Sequence, residues 1–212
     1  MLTLYDYLPS QNAYKVRLLL NHLRIPYETK IISIFEGEGQ NSDYLKISPV
    51  GAVPAIELED GRSIAESNAI LTFLAEGSTY LPDAPFERAK VAQWLFFEGD
   101  YVQGSIATMR HWVMTGKDAN RSPDLVQAKR ELSLKTLGIL DQELSKNAFL
   151  GGAFYTIADI SVFAYTHLAR DAKLPLEDFE HVLTWIDRVK QQDGFLKTVY
   201  PYAVDPYSSG EL

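Results

Sequence analysis

Apolar positions along the chain follow two regimes. Over roughly the first 76 residues they form short runs of differing period. Leu2-Thr3-Leu4-Tyr5 reads as a brief strand and Leu8 to Asn12 as the turn after it. Ala13, Val16, Leu19, Leu20 and Leu23 then recur at helical spacing, with Lys15, Arg17 and Asn21 on the other faces, which predicts a helix from about Ala13 to about Arg24. Tyr27 to Ile34 is rich in β-branched residues and predicts a second strand, parallel to the first. A loop with two glycines leads to a helical turn over Ser42 to Ile47, capped by Asn41 or Ser42. Next come PAIEL, a turn at Asp60-Gly61 expected to be of the two-residue kind, SIA as a returning strand, and a helix from Glu66 to about Glu76.

From Glu87 onward the period is helical throughout. A long segment runs to about Thr115, and a second opens at Ser122-Pro123 and runs to about Leu144. A third begins at Thr156, with Asp159 at the capping-box spacing and Tyr155 and Ile160 at staple positions. Its apolar residues Ile160, Val162, Phe163, Ala164 and Leu168 surround it, which implies central burial. A fourth spans about His181 to Gln191. Between the regimes, GSTYLPDAPF has linker composition. The expected division is therefore residues 1–78, a linker at 79–86, and a helical domain over 87–212.

The 212-residue length and 46% hydrophobic content suffice for two packed cores. A net charge of -8 without a basic run argues against nucleic-acid binding. No window approaches the roughly 18 apolar residues of a membrane span, and the N-terminus lacks a targeting pattern, so the expectation is a cytoplasmic protein without membrane contact. Cysteine is absent, which removes disulfides, thiolate metal sites and cysteine nucleophiles from this chain. Any thiol chemistry must use a thiol brought by the ligand. The four histidines, His22, His111, His167 and His181, lack metal-ligand spacing, and no metal is expected.

Candidate chemistry centres on Ser48 to Leu74. Pro54 stands at the mouth of a strand, where proline is tolerated. With a cis Val53-Pro54 bond, the backbone of Val53 faces outward and can pair with an extended peptide. Glu66 and Ser67 open a helix, whose N-terminal amides and hydroxyl suit a carboxylate. Ser10 and Asn12 lie before the first predicted helix, where they serve as helix caps or as polar groups beside a reacting atom.

The VP loop followed a dozen residues later by ES, together with LYDYLPSQNAYK at the start, resembles the glutathione transferase family over essentially the whole chain. That resemblance implies a thioredoxin-like N-terminal domain and an all-helical C-terminal domain, with glutathione as co-substrate. It implies that Val53, in the loop before Pro54, pairs with the cysteinyl part, that Pro54 belongs to the glutathione-binding set, and that Glu66 and Ser67 hold the γ-glutamyl end. It further implies that Ser10 stabilises the thiolate, with Asn12 contacting the sulfur as in nu-like disulfide reductases and Tyr5 as the rival hydroxyl. Tyr7 is a remoter one. Ala52 stands where some members have a lysine for the glycyl carboxylate, and Gln40 or Lys46 are the substitutes. Tyr101, Arg110, Trp112 and Tyr165, with the tyrosine-rich tail Tyr200 to Tyr207, are the candidates for an electrophile pocket, while Met109 and Met114 read as core. Family members usually pair as homodimers, with Asp100, or else Glu98, reaching a neighbouring site. The implied activity is attack of glutathione thiolate on a small electrophile or a disulfide, with detoxification as its role. The alternatives are a non-catalytic binding module of this fold and a glutathione-dependent reductase, isomerase or peroxidase.

Overall fold

The computed structural model describes residues 1–210, and they separate into two units. The first contains Met1–Glu76 and the tail from Asp193 onward; the second runs Gly77–Gln192.

The first unit is built on a four-stranded sheet of order β2-β1-β3-β4. Strand β1 (Leu2–Asp6) pairs in parallel with β2 (Tyr27–Ile31) and antiparallel with β3 (Ala55–Glu57), which pairs antiparallel with β4 (Ser63–Ala65). Helix α1 (Gln11–Leu23) connects β1 to β2, the short α2 (Ser42–Leu45) precedes β3, and α3 (Ser67–Leu74) follows β4. Adjacent residues of β1 serve opposite faces, as a strand's period of two demands. Leu4 packs with Val16 and Leu20 of α1, Ile56 and Ile70 of α3, whereas Tyr5 packs with Tyr44 of α2 and Ala55. This is the thioredoxin-like order that the sequence predicts.

The β3-β4 turn differs from expectation. The N–H of Leu58 donates to the carbonyl of Arg62 at 2.8 Å and that of Gly61 to Leu58 at 3.0 Å, so the loop holds three residues, with Gly61 at φ +84° in the position that favours glycine. A second difference concerns α1. Lys15 and Arg17 are buried: α3 lies against Lys15, whose Nζ donates to Ser67, while the tail covers the side of α1 that carries Arg17. The Tyr14 hydroxyl donates to the carbonyl of Leu196 at 2.6 Å, Asn21 donates to that of Gly194 at 2.7 Å, and the Arg17 guanidinium lies over the Tyr200 ring. The tail from Asp193 thus groups with the first unit, where a helical domain over 87–212 was expected.

In the second unit α4 (Pro85–Phe97) passes through a π-helical stretch, Glu98–Ala107, into α5 (Thr108–Thr115). The N–H of Thr108 reaches the carbonyl of Gln103, five residues back. The unit continues with α6 (Pro123–Leu144), α7 (Ile157–Thr166) and α8 (Glu180–Lys190). All ten residues of α7 are buried, as its all-round apolar pattern predicts. The expected linker is part of this unit: the Tyr80 carbonyl accepts from the N–H of Ile157 at 2.9 Å, and the Tyr80 and Tyr155 rings meet edge to face. Among the described residues no helix is long and apolar enough to cross a membrane.

Candidate functional site

Three polar features of the first unit belong to the ends of its elements. Ser10 is the N-cap of α1, so the helix begins two residues earlier than periodicity indicates. Its Oγ accepts from the N–H of Ala13 at 3.2 Å. A hydroxyl has one proton and two acceptor sites, so this cap leaves the Ser10 proton available to donate. Capping and thiolate stabilisation are therefore compatible duties of one side chain. Asn12 sits in the first turn of α1 and is half-buried.

The second feature is the loop before β3. The Val53-Pro54 bond is cis, and neither the N–H nor the C=O of Val53 takes part in a backbone hydrogen bond among the described residues. The carbonyl of Ala52 is turned inward, accepting from the Tyr44 hydroxyl at 2.7 Å and from Ser48 at 2.9 Å, which fixes the approach to Val53. Gly51, at φ +70°, lies so close to Gly39 that a methyl group on either would collide with backbone. The exposed Gln40 is held near this loop, its amide nitrogen beside Gly51. Lys46 pairs with Asp43 at 2.7 Å and is exposed.

The third feature is the start of α3. Glu66 occupies the N-cap position at φ +69°, ψ +113°, contributes no side-chain cap, and is exposed; Ser67 next to it is buried. A non-glycine residue held at positive φ is strained and persists where its surroundings enforce it, often at binding sites. Beneath Ser67 lies Lys15, wholly buried, its Nζ donating to Ser67 Oγ at 3.3 Å. Sequence reasoning put Lys15 on an outer face and missed it; the signal available was its place within the LYDYLPSQNAYK motif.

Several predicted residues are placed elsewhere. The Tyr5 hydroxyl donates to Glu57 at 2.6 Å and accepts from Lys30 at 3.3 Å, on the α2 face of the sheet. Burial, then the Glu57 carboxylate, raise its pKa. Both bonds engage the Tyr5 hydroxyl within the fold. The Tyr7 hydroxyl is taken by Asp205 at 2.8 Å, and burial followed by that carboxylate raises its pKa strongly. In the second unit Arg110 is buried and paired at 3.0 Å with Asp171, which is partly exposed. Tyr165 is likewise buried in α7. Trp112 is half-buried under Arg121, and Tyr101 is exposed and stacked on Phe97. Met109 is buried but Met114 is exposed, contrary to the core reading of the latter. Glu98 is wholly buried, with Gln103 donating to it at 3.1 Å, whereas Asp100 is exposed. The tail tyrosines pack with the first unit.

Residues 9–76 match the family model for the N-terminal domain of glutathione S-transferases, and residues 105–193 match the model for their C-terminal domain. A crystal structure of glutathione S-transferase from Pseudomonas fluorescens superposes with a TM-score of 0.90 at 35% identity, over 92% of this chain and 97% of that one. The chain belongs to the glutathione S-transferase family. Among curated relatives, the disulfide-bond oxidoreductase YfcG of Escherichia coli is 26% identical over 91% of both chains. The glutathione transferase URE2P6 of Phanerochaete chrysosporium, solved with oxidized glutathione, is similar at 26% identity and a TM-score of 0.82, over 91% of this chain and 92% of that one. Membership of this family carries function of the glutathione-transferase type, and family structures hold glutathione in complex.

Proposed function

We propose that this chain binds glutathione along the Val53 loop and the α3 N-terminus and activates its thiol at Ser10 for attack on an electrophilic carbon or a disulfide. The observation that carries this reading is the positive φ of Glu66 directly before the buried Ser67, beside a Val53 backbone left without partners. An extended peptide with an anionic end satisfies both at once. The backbone of the cysteinyl residue pairs with Val53, the γ-glutamyl carboxylate meets the α3 amides and Ser67, and Glu66 faces the ammonium. Pro54 shapes the loop, Ala52 fixes it, and Gln40 stands nearest the glycyl end.

A free thiol has a pKa of about 8.5, so at neutral pH it is mostly protonated. A hydrogen bond from Ser10 to the sulfur anion contributes roughly 1.5 to 3 kcal/mol, and the α1 N-terminus about 0.3 to 1. Together they lower the thiol pKa by about one to three units. The thiolate is the nucleophile. Against a mixed disulfide RS–SG it forms the S–S bond of oxidized glutathione and expels RS⁻; no cysteine of this chain takes part.

Disulfide reduction is the second reading within this activity. It is favoured by the similarity to the disulfide-bond oxidoreductase and by Asn12, two residues after Ser10. The test assays Ser10→Ala and Asn12→Ala with a chloronitroaromatic and with a small glutathione mixed disulfide. Ser10→Ala is expected to lower turnover on both, and Asn12→Ala to lower disulfide reduction more. Equal losses for Asn12→Ala take away its role at the sulfur. Calorimetry on Ser67→Ala is expected to show weaker glutathione binding, and an unchanged Kd removes the γ-glutamyl assignment. The quaternary reading is a homodimer in which the exposed Asp100, and not the buried Glu98, reaches the neighbouring site. A single 23.9 kDa species in sedimentation contradicts it.

A further inference from the structure

We infer that Lys15 is a positioning residue of the glutathione site, acting through Ser67. The inference rests on the proposed location of the γ-glutamyl carboxylate at the start of α3. Lys15 extends from the middle of α1, is wholly buried, and aims its ammonium at Ser67 Oγ from inside the fold at 3.3 Å.

An ammonium has three donors and no acceptor, so in this pair it is always the donor and Ser67 Oγ the acceptor. That assignment fixes the polarity of the hydroxyl. With a lone pair engaged from below, the Ser67 O–H is turned away from Lys15, toward the side on which the α3 amides converge. The bond also places a full positive charge directly behind the positive end of a helix dipole. Two positive sources thus act in one direction on whatever lies against Ser67. A carboxylate is the complementary group, since it accepts both from the O–H and from the amides. A neutral amide or an ammonium at the same place gains nothing from the buried charge. Lys15 therefore selects for the carboxylate of the γ-glutamyl end without touching it.

The experiment measures binding and kinetics on the full chain. For Lys15→Met, which keeps the length and apolar stem but removes the charge, Kd and KM for glutathione are expected to rise about tenfold, the loss of roughly one charge-assisted hydrogen bond. The kcat at saturating glutathione stays near the wild-type value, because Ser10 is untouched. Lys15→Arg, which keeps charge and donors, is expected to recover part of the affinity. Combining Lys15→Met with Ser67→Ala is expected to cost little more than Ser67→Ala alone, since both act through one hydroxyl. A Kd for Lys15→Met within twofold of wild type, or fully additive losses in the double variant, overturns the proposal. Should Lys15→Met fail to fold, the wild-type protein answers by NMR. The Lys15 side-chain resonances are expected to shift on saturation with glutathione and to stay in place with cysteinylglycine, which lacks the γ-glutamyl group. Equal responses to both ligands, or none to either, overturn the proposal. Absence of glutathione binding by the wild type is a different outcome, refuting the binding reading itself and Lys15's role with it.

Discussion

At the start of α7, Thr156 caps the N–H of Ala158 while Asp159 reaches back to the N–H of Thr156 at 3.0 Å. Asp159 also accepts from the N–H of Leu150 at 2.8 Å and from the indole of Trp185 at 2.9 Å, all of it buried. At the start of α1, Ser10 accepts a single bond from Ala13, no acidic residue follows in the first turn, and the side chain is only half-buried. The start of α3 has no side-chain cap at all, only a strained Glu66 and a serine held from behind. These ends share the same orphan amides and the same dipole. In α7 the chain supplies its own carboxylate. In α1 and α3 no acid of the chain stands in the first turn, which under the proposed binding mode leaves the negative charge to a ligand. A helix N-terminus thus serves stability or binding according to whether an acid of the chain has already reached it.

The largest effect that tests this contrast is on stability. Asp159→Ala strips three buried N–H groups of their acceptor, and is expected to cost about 3 to 4 kcal/mol. For a chain of this size that is a fall of about 10 °C in Tm. Calorimetric scanning checks it, and a loss comparable to that of Ser10→Ala breaks the contrast.

The next effect is the pH dependence of α7. Burial pushes the Asp159 carboxyl up to about 6, against the pull of its donors. Its unfolded value is about 3.9, so between the two the folded chain keeps a proton that the unfolded chain has lost. Stability from this group is fully present below about pH 4 and declines toward pH 6, by roughly 3 kcal/mol. His167, stacked on Phe163 one helix turn later, has the opposite sign. Burial lowers its pKa to about 4, so in acid the unfolded chain takes up a proton first, and stability rises with pH from about 4 to about 6.5. His22, lowered by burial in the first unit, adds to that second slope. The wild-type profile is therefore expected to be shallow across this window. Asp159→Asn removes one of the opposed slopes, and its urea midpoint is expected to rise steadily from about pH 4.5 to about 6.5. A profile parallel to wild type assigns Asp159 a carboxylate charge throughout and overturns the prediction.

What could be read from the sequence divides along the same line. Local rules found the α7 capping box, the Ser122 cap, the proline at the β3 mouth and the Glu66-Ser67 helix start, because each depends on residues a few positions apart. The three-residue loop at Gly61 was missed by a single residue, since Asp-Gly suits both turn lengths. Long-range packing hid the rest. Nothing near Arg17 announces that a tail some 180 residues away covers its side of α1, and nothing near Lys15 announces Ser67 as its partner. Nothing near Arg110 names Asp171 as its partner. The π-helical stretch over Glu98–Ala107 keeps an ordinary apolar pattern and left no mark in periodicity.

Third in size is the catalytic effect at α1. Ser10→Ala is expected to lower stability by about 1 kcal/mol, an ordinary cap loss. Turnover at neutral pH is expected to fall by about ten- to a hundredfold, following the thiol pKa. The discriminating measurement is the pH profile of kcat/KM, whose lower limb shifts upward by about one to two units in the variant. A drop in rate without that shift assigns Ser10 to positioning the ligand and not to stabilising the thiolate.

The smallest effect concerns the tail. Tyr7, three residues before Ser10, donates to Asp205 at 2.8 Å, and the N–H of Ser10 in turn donates to the Tyr7 carbonyl at 2.8 Å. The tail therefore holds the loop that presents the Ser10 hydroxyl. Tyr7→Phe removes one neutral-to-charged hydrogen bond, but Asp205 is half-exposed and takes water in exchange. The expected cost is below about 1 kcal/mol, a shift of at most about 2 to 4 °C in Tm. The phenyl ring keeps its edge contact with Phe35, so the fold around the loop persists. If the α1 end is an open site whose donor must be aimed, KM for glutathione should rise about twofold while the pH limb of kcat/KM stays in place, a separation that Ser10→Ala does not show. A pH shift in Tyr7→Phe equal to that of Ser10→Ala would give the two hydroxyls a common role at the sulfur, and Tyr7's bond to Asp205 would then have to open when glutathione binds.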